Sequence, residues 1–267
     1  MCVVLLFSQL MLVVISLVVP LVILTIYGYV KKSGWKPIVW GVVDSIGALF
    51  LVRMVIPLFC LDQTWFQTLL ENTPLYITVY SLCMALVYGL FGWIYFYRLQ
   101  KKSDPNKVLW KEEGKSRGLM FGFSEGFAYE ALFIGFNGLS SLLSDYAPNV
   151  DETQIFGIGL SVIEALAMII LFSTFAVQLQ QAQAKKNWLE LLLVLVEIFA
   201  FFGLGFSWQS VFGFPRIALE IVLIASSLLA IWWMKEQGFF HHLFTIEEED
   251  PVEEMSTRDI LAMRKKS

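Results

Sequence analysis

Histidine is almost missing from this chain: the two present, His241 and His242, are adjacent and lie beyond the last apolar run. An imidazole-based zinc site among the apolar segments is therefore not expected, and neither is a serine nucleophile with a histidine base. Cysteine is scarce too, and Cys2, Cys60 and Cys83 give neither a disulfide framework nor a zinc-ligand spacing. Asp44 is the sole aspartate well inside an apolar run, which leaves no aspartate pair for an aspartic protease. There is no phosphate-binding or dinucleotide-binding glycine motif, and no nucleic-acid partner is expected. Charge is thin as well: Asp, Glu, Lys and Arg make up 16% of the chain, against about 25% in an ordinary soluble domain.

What is present is hydrophobe, 57% of all residues, recurring in long runs along the chain. Such runs predict an all-α polytopic membrane protein, because a spanning segment must satisfy its own backbone hydrogen bonds. Seven transmembrane helices are expected, at about 3–29, 37–59, 75–97, 117–140, 155–177, 188–208 and 215–234, forming a single domain over 1–240 with a charged cytoplasmic tail at 241–267. The linkers after the first, third and fifth helices, together with the tail, collect every Lys and Arg except Arg53 and Arg216. The positive-inside rule then puts the N-terminus outside and the C-terminus in the cytoplasm of a multi-pass cell-membrane protein, with the lipid bilayer as its first partner.

Against this background the stretch from Arg117 to Gly138 stands out, since it carries Glu125 and Glu130 among five glycines. A carboxylate at mid-membrane costs about 2.5 to 3.5 kcal/mol on insertion scales, so each such group needs a partner or a purpose. Other helix interiors hold Asp44, Arg53, Glu164, Glu197 and Glu220. At about 1.5 Å of rise per residue, Arg53, Glu130, Glu164 and Glu220 fall at similar depth in the outer half, with Glu197 nearer the middle. A polar intramembrane cluster of Arg53, Glu130, Glu164, Glu197 and Glu220 is expected, one arginine being shared by several carboxylates. Asp44 and Glu125 lie nearer the cytoplasmic side as a secondary set. Gly118, Gly122 and Gly126 recur every four residues, and Glu130 continues their row, so this face predicts close helix packing that points Glu130 into an interface.

The third and fourth helices with their linker, including "YGLFGWIYFYRLQKK" and "GFSEGFAYEALFIG", resemble the bacterial YhfC-like family of candidate intramembrane metallopeptidases. That family is similar in turn to the CAAX-processing and bacteriocin-processing membrane proteases and, more distantly, to the seven-helix APH-1 scaffold subunit of gamma-secretase. Gly89, Leu90, Phe91, Lys101, Lys102, Gly122, Glu130 and Ala131 carry the match. Gly92 and Trp93 stand where the family has paired glutamates, Phe96 where it has an arginine, and Gly126 where it has a histidine. Of the catalytic set that the resemblance implies, Glu130 alone survives. The resemblance thus implies a catalytically degenerate member acting as a scaffold, binding or regulatory protein for a membrane-protein or peptide partner, with no cofactor and no metal ligands. An active peptidase using Glu130 with Glu164, Glu197 or Glu220 is the alternative, and zinc is expected only in that case. A small proton-coupled transporter is the third reading, motivated by the acidic interior.

Overall fold

The computed structural model describes residues 2–31, 34–102, 109–143 and 152–240, and these are helical apart from short connections, with no strand among them. Helix α1 runs over Cys2–Val13, a π turn at Val14–Val18, and Val19–Val30. Helix α2 follows the same plan, Trp35–Phe50, a π turn at Leu51–Val55 and Ile56–Cys60. A short helix, α3 (Thr64–Glu71), lies where the sequence predicts a plain linker, and buries Phe66 and Leu69. Then come α4 (Thr73–Lys102), α5 (Leu109–Glu130, a π turn at Ala131–Gly135, and Phe136–Leu143), α6 (Glu152–Lys185), α7 (Trp188–Ser210) and α8 (Arg216–Glu236).

Among the described residues, six segments are long and apolar enough to cross a membrane: Leu6–Val30, Trp35–Cys60, Thr73–Gln100, Phe156–Lys185, Trp188–Gly205 and Arg216–Glu236. Their outer faces are those of a helical membrane protein, with Leu58, Phe59, Trp188, Ile221 and Leu229 all more than 60% exposed. A water-soluble protein does not leave so large an apolar girdle uncovered. The seventh expected span corresponds to α5, which is not one of the six. Its polar residues Ser116, Ser124, Glu125 and Glu130 lower its hydropathy, and all four are buried against other helices. The tail at 241–267, with His241 and His242, lies outside the described residues.

Two of the π turns have a cause in the sequence. Pro20 and Pro57 follow them by two residues, and each proline lacks an N–H and presses its ring on the carbonyl four positions back, at Ser16 or Arg53. Widening the turn relieves that contact. The third π turn has no proline; there Asn137 Nδ2 donates to the Phe133 carbonyl at 2.6 Å.

At the centre α6 packs against α5, α4, α7, α8 and α1, while α2 packs on α5. The α5–α6 contact is made by backbone. A Cβ at Gly122 would sit 2.6 Å from Ser173 Cα, and one at Gly126 would sit 2.7 Å from Ile169 Cα. Gly118 faces the Gln180 side chain in the same row. On α2, Gly41 makes an equally close approach to the Phe121 carbonyl and Ser124 of α5. Around these crossings the rings of Tyr88, Tyr129, Phe172 and Phe202 form one buried cluster, with neighbouring centroids 5.3 to 6.2 Å apart. The turn into α7 is tight: Asn187 Oδ1 accepts from the Leu189 N–H at 3.1 Å, and Lys185 pairs with Glu190 at 3.0 Å.

The packing gives a direct test. Gly122→Val drives two branched carbons into the α6 backbone and should destabilise the bundle by about 1 to 3 kcal/mol. Gly157→Ala on α6 meets nothing within 4 Å and should be neutral or stabilising by about 0.5 to 1 kcal/mol. Thermal unfolding in one detergent compares the two variants.

Candidate functional site

A chamber of about 580 Å³ lies between α2, α5, α6, α7 and α8. Arg53 reaches it from the α2 π turn, Tyr129, Glu130 and Phe133 from α5, Glu164, Met168 and Phe175 from α6, Glu197, Phe201 and Phe202 from α7, and Leu219, Val222 and Ser226 from α8. The walls are mostly apolar, and the polar groups are few. Leu204 and Val222 also line it and are 46% and 41% exposed, so its rim between α7 and α8 lies on the apolar girdle.

Glu130 is the most deeply placed acid here. It is 1% exposed, and neither carboxyl oxygen has a hydrogen-bond partner among the described residues. Local structure sets its position: Glu130 is the last residue before the Ala131–Gly135 π turn, and it follows Gly126 by one helical turn on the face that meets α6. π turns of this kind recur at functional sites because they displace side chains from the regular helical register.

Glu164 is held by an arginine. Arg216, the first residue of α8, forms a two-pronged pair with Glu164: Nη2 donates to Oε2 at 2.7 Å and Nε to Oε1 at 3.2 Å. Its Nη2 also donates to Ser161 Oγ at 3.1 Å. The same guanidinium stands 3.5 Å from Glu220 Oε1, one helical turn along α8. Glu220 is 2% exposed and sits behind the chamber wall, outside the lining. Glu197 is half-buried and lies near the Gln178 side chain.

The shared arginine is therefore Arg216, where the sequence reading expects Arg53. Arg53 Nε donates to Tyr80 Oη at 2.8 Å, and its guanidinium lies 4.5 Å from the centre of the Phe133 ring and 5.6 Å from that of Tyr80. Cation–π contact of this sort stabilises a guanidinium at low dielectric. Sequence reasoning set Arg216 aside as a topological exception. The signal that marks it is the i, i+4 spacing to Glu220 at the start of a helix.

Asp44 and Glu125 form a second, separate polar spot. Both are buried, at 3% and 5% exposure, and they lie within electrostatic range of each other. Asp44 Oδ2 is 3.8 Å from where a Cβ on Gly92 would be, and neither Asp44 oxygen has a partner among the described residues. A cavity of about 10 Å³ lined by Tyr88, Gly92 and Glu125 adjoins them. That is room for about one water molecule, and Tyr88 Oη lies 3.4 Å from Ser45 Oγ beside it. Of the positions singled out by the resemblance, Gly92 borders this spot and Gly126 is filled by the α6 backbone, while Trp93 and Phe96 pack in the core. Among the described residues no group of three or more His, Cys, Asp or Glu side chains is placed to hold a metal ion.

Arg216→Met leaves Glu164 and Glu220 without their cation and should lower the melting temperature. Adding Glu220→Gln should recover part of the loss, with a coupling of about 0.5 to 3 kcal/mol between the two sites in a double-mutant cycle. The chain matches no protein-family model, no curated protein and no solved structure.

Proposed function

We propose that the chain is a seven-pass protein of the cell membrane, with its N-terminus outside and its C-terminus cytoplasmic, that binds a small amphipathic molecule. One observation carries the reading, the chamber of about 580 Å³ with apolar walls and convergent polar groups. Small-molecule sites typically enclose about 300 to 1,000 Å³ and have this composition. The seventh crossing is α5, whose Glu125 and Glu130 are buried against neighbouring helices and so do not meet lipid. The distribution of Lys and Arg supports the orientation, and with it the chamber lies in the outer half of the bilayer.

Binding is favoured over hydrolysis by the packing of α5. The YhfC-like resemblance assigns a histidine to the position of Gly126, but a side chain there would begin 2.7 Å from Ile169 Cα. An imidazole has no room unless α5 and α6 separate. The same resemblance assigns a glutamate to Gly92, which stands beside the Asp44–Glu125 spot and does not line the chamber. These two positions support a scaffold of the protease type retained around a binding chamber, with the family's metal chemistry gone; fold analogy alone fixes no activity.

Filling the chamber tests the proposal. Gly205 is on its wall, and a Cβ there meets nothing within 4 Å, so Gly205→Phe should fold while occupying the space. Wild-type protein in phosphatidylcholine nanodiscs should bind 4-phenylbutanol saturably above empty discs, and Gly205→Phe should weaken that binding by about ten-fold or more, a change of about 1.4 kcal/mol. Equal binding by the two proteins at unchanged melting temperature would remove the chamber from consideration.

A further inference from the structure

We infer that the chamber's ligand is a cationic amphiphile, an apolar body carrying one ammonium group, whose charge is seated against Glu130. The inference rests on the binding function proposed above and specifies its ligand class.

The charges around the chamber lead to it. Three carboxyl groups line the space: Glu164 is clasped by Arg216, and Glu197 is only half-buried, with Gln178 nearby. Glu130 remains, 1% exposed with both oxygens unpartnered among the described residues. A buried carboxylate without a donor is costly, and a cation placed beside it removes that cost. Among the described residues no donor reaches it, so a neutral hydroxyl-bearing ligand would bring one hydrogen bond where an ammonium brings several donors and the opposite charge. An anionic head group is disfavoured, because the lining carries Glu130, Glu164 and Glu197 against Arg53.

The walls fit the rest of such a molecule. Tyr129 and Phe133 lie one helical turn apart with ring centroids 4.7 Å from each other, and Phe201 and Phe202 stand edge to face at 5.2 Å. Aromatic faces beside a carboxylate are the surroundings in which ammonium groups bind, through cation–π attraction in addition to apolar burial. The route in points the same way. Leu204 and Val222 belong both to the lining and to the exposed apolar girdle, so a molecule already dissolved in the bilayer reaches Glu130 by passing between α7 and α8 without crossing water.

Matched probes decide the case. In phosphatidylcholine nanodiscs, with empty discs subtracted, 4-phenylbutylammonium should bind wild-type protein about ten-fold or more tightly than 4-phenylbutanol, and 4-phenylbutyrate should bind more weakly than either. Glu130→Gln should abolish the preference for the amine over the alcohol. Equal affinity for amine and alcohol, or a preference that survives Glu130→Gln, overturns the ligand class and leaves the chamber as a binding site. Failure of all three probes to bind above empty discs brings down both the ligand class and the binding function. Should Glu130→Gln not fold, the wild-type comparison of amine with alcohol decides the ligand class by itself.

Discussion

Everything in this bundle is set out from one contact, the backbone of α5 lying against the backbone of α6 at Gly122 and Gly126. In a membrane, helices gain little by hiding apolar side chains from lipid that is equally apolar, so close approach and dispersion must hold them together. Three glycines in a row allow that approach, and the row is filled on the other side by Ser173, Ile169 and Gln180. Once α5 is fixed in register, the next residue of the row is Glu130, which leaves the glycine seam just where the π turn begins. The carboxyl group is therefore placed by packing, and its location follows from what lies beneath it on the helix.

The same contact explains why the acids fall into two groups with different surroundings. Toward the Gly118 end of the seam, α2 also closes on α5 through Gly41, and the space left beside Asp44 and Glu125 is about 10 Å³. Beyond Gly126 the further helix that meets α5 is α1, through the Leu17 and Leu12 side chains at Gly135 and Gly138. The π turns at Leu51–Val55 and Ala131–Gly135 displace α2 and α5 from regular geometry, and the gap widens into a chamber of about 580 Å³. Arg53 sits inside one of those turns and Glu130 at the mouth of the other. Irregular helix at membrane depth is tolerated where it lines a cavity, and the positions of these turns agree with that rule.

Much of this architecture was legible in the sequence, and the reasons are physical. Hydrophobic run length depends only on bilayer thickness, so the six long apolar helices could be read directly. Rise per residue gives depth, and that arithmetic put Arg53, Glu130 and Glu164 at one level; all three line the chamber, with Glu197 joining them and Glu220 standing just behind. Partner choice was not legible. Arg53 and Arg216 look alike as isolated cations, yet one meets Tyr80 and Phe133 and the other Glu164 and Glu220. That distinction depends on which helix is the neighbour, a property of the assembled bundle that no single segment encodes. The helix α3 was missed for a related reason: at Thr64–Glu71 its apolar residues are too few to signal a span, and Phe66 and Leu69 find cover in the fold.

Volume decides between the two acidic spots when a function is sought. Asp44 and Glu125 are as buried as Glu130, and on burial alone either group would qualify as functional. Room for about one water molecule, however, admits nothing beyond a solvent or a proton, and the pair is enclosed by Tyr88, Phe121, Phe172 and Leu179. Such a spot fixes how α2, α4 and α5 register against one another, the best-attested use of buried polar groups. Glu130 faces a space more than an order of magnitude larger by comparison of about 580 with about 10 Å³, bordered by aromatic rings and reached from the apolar girdle. An acid held by packing and left without a donor among the described residues, beside a space of that size, is the feature on which the binding proposal stands.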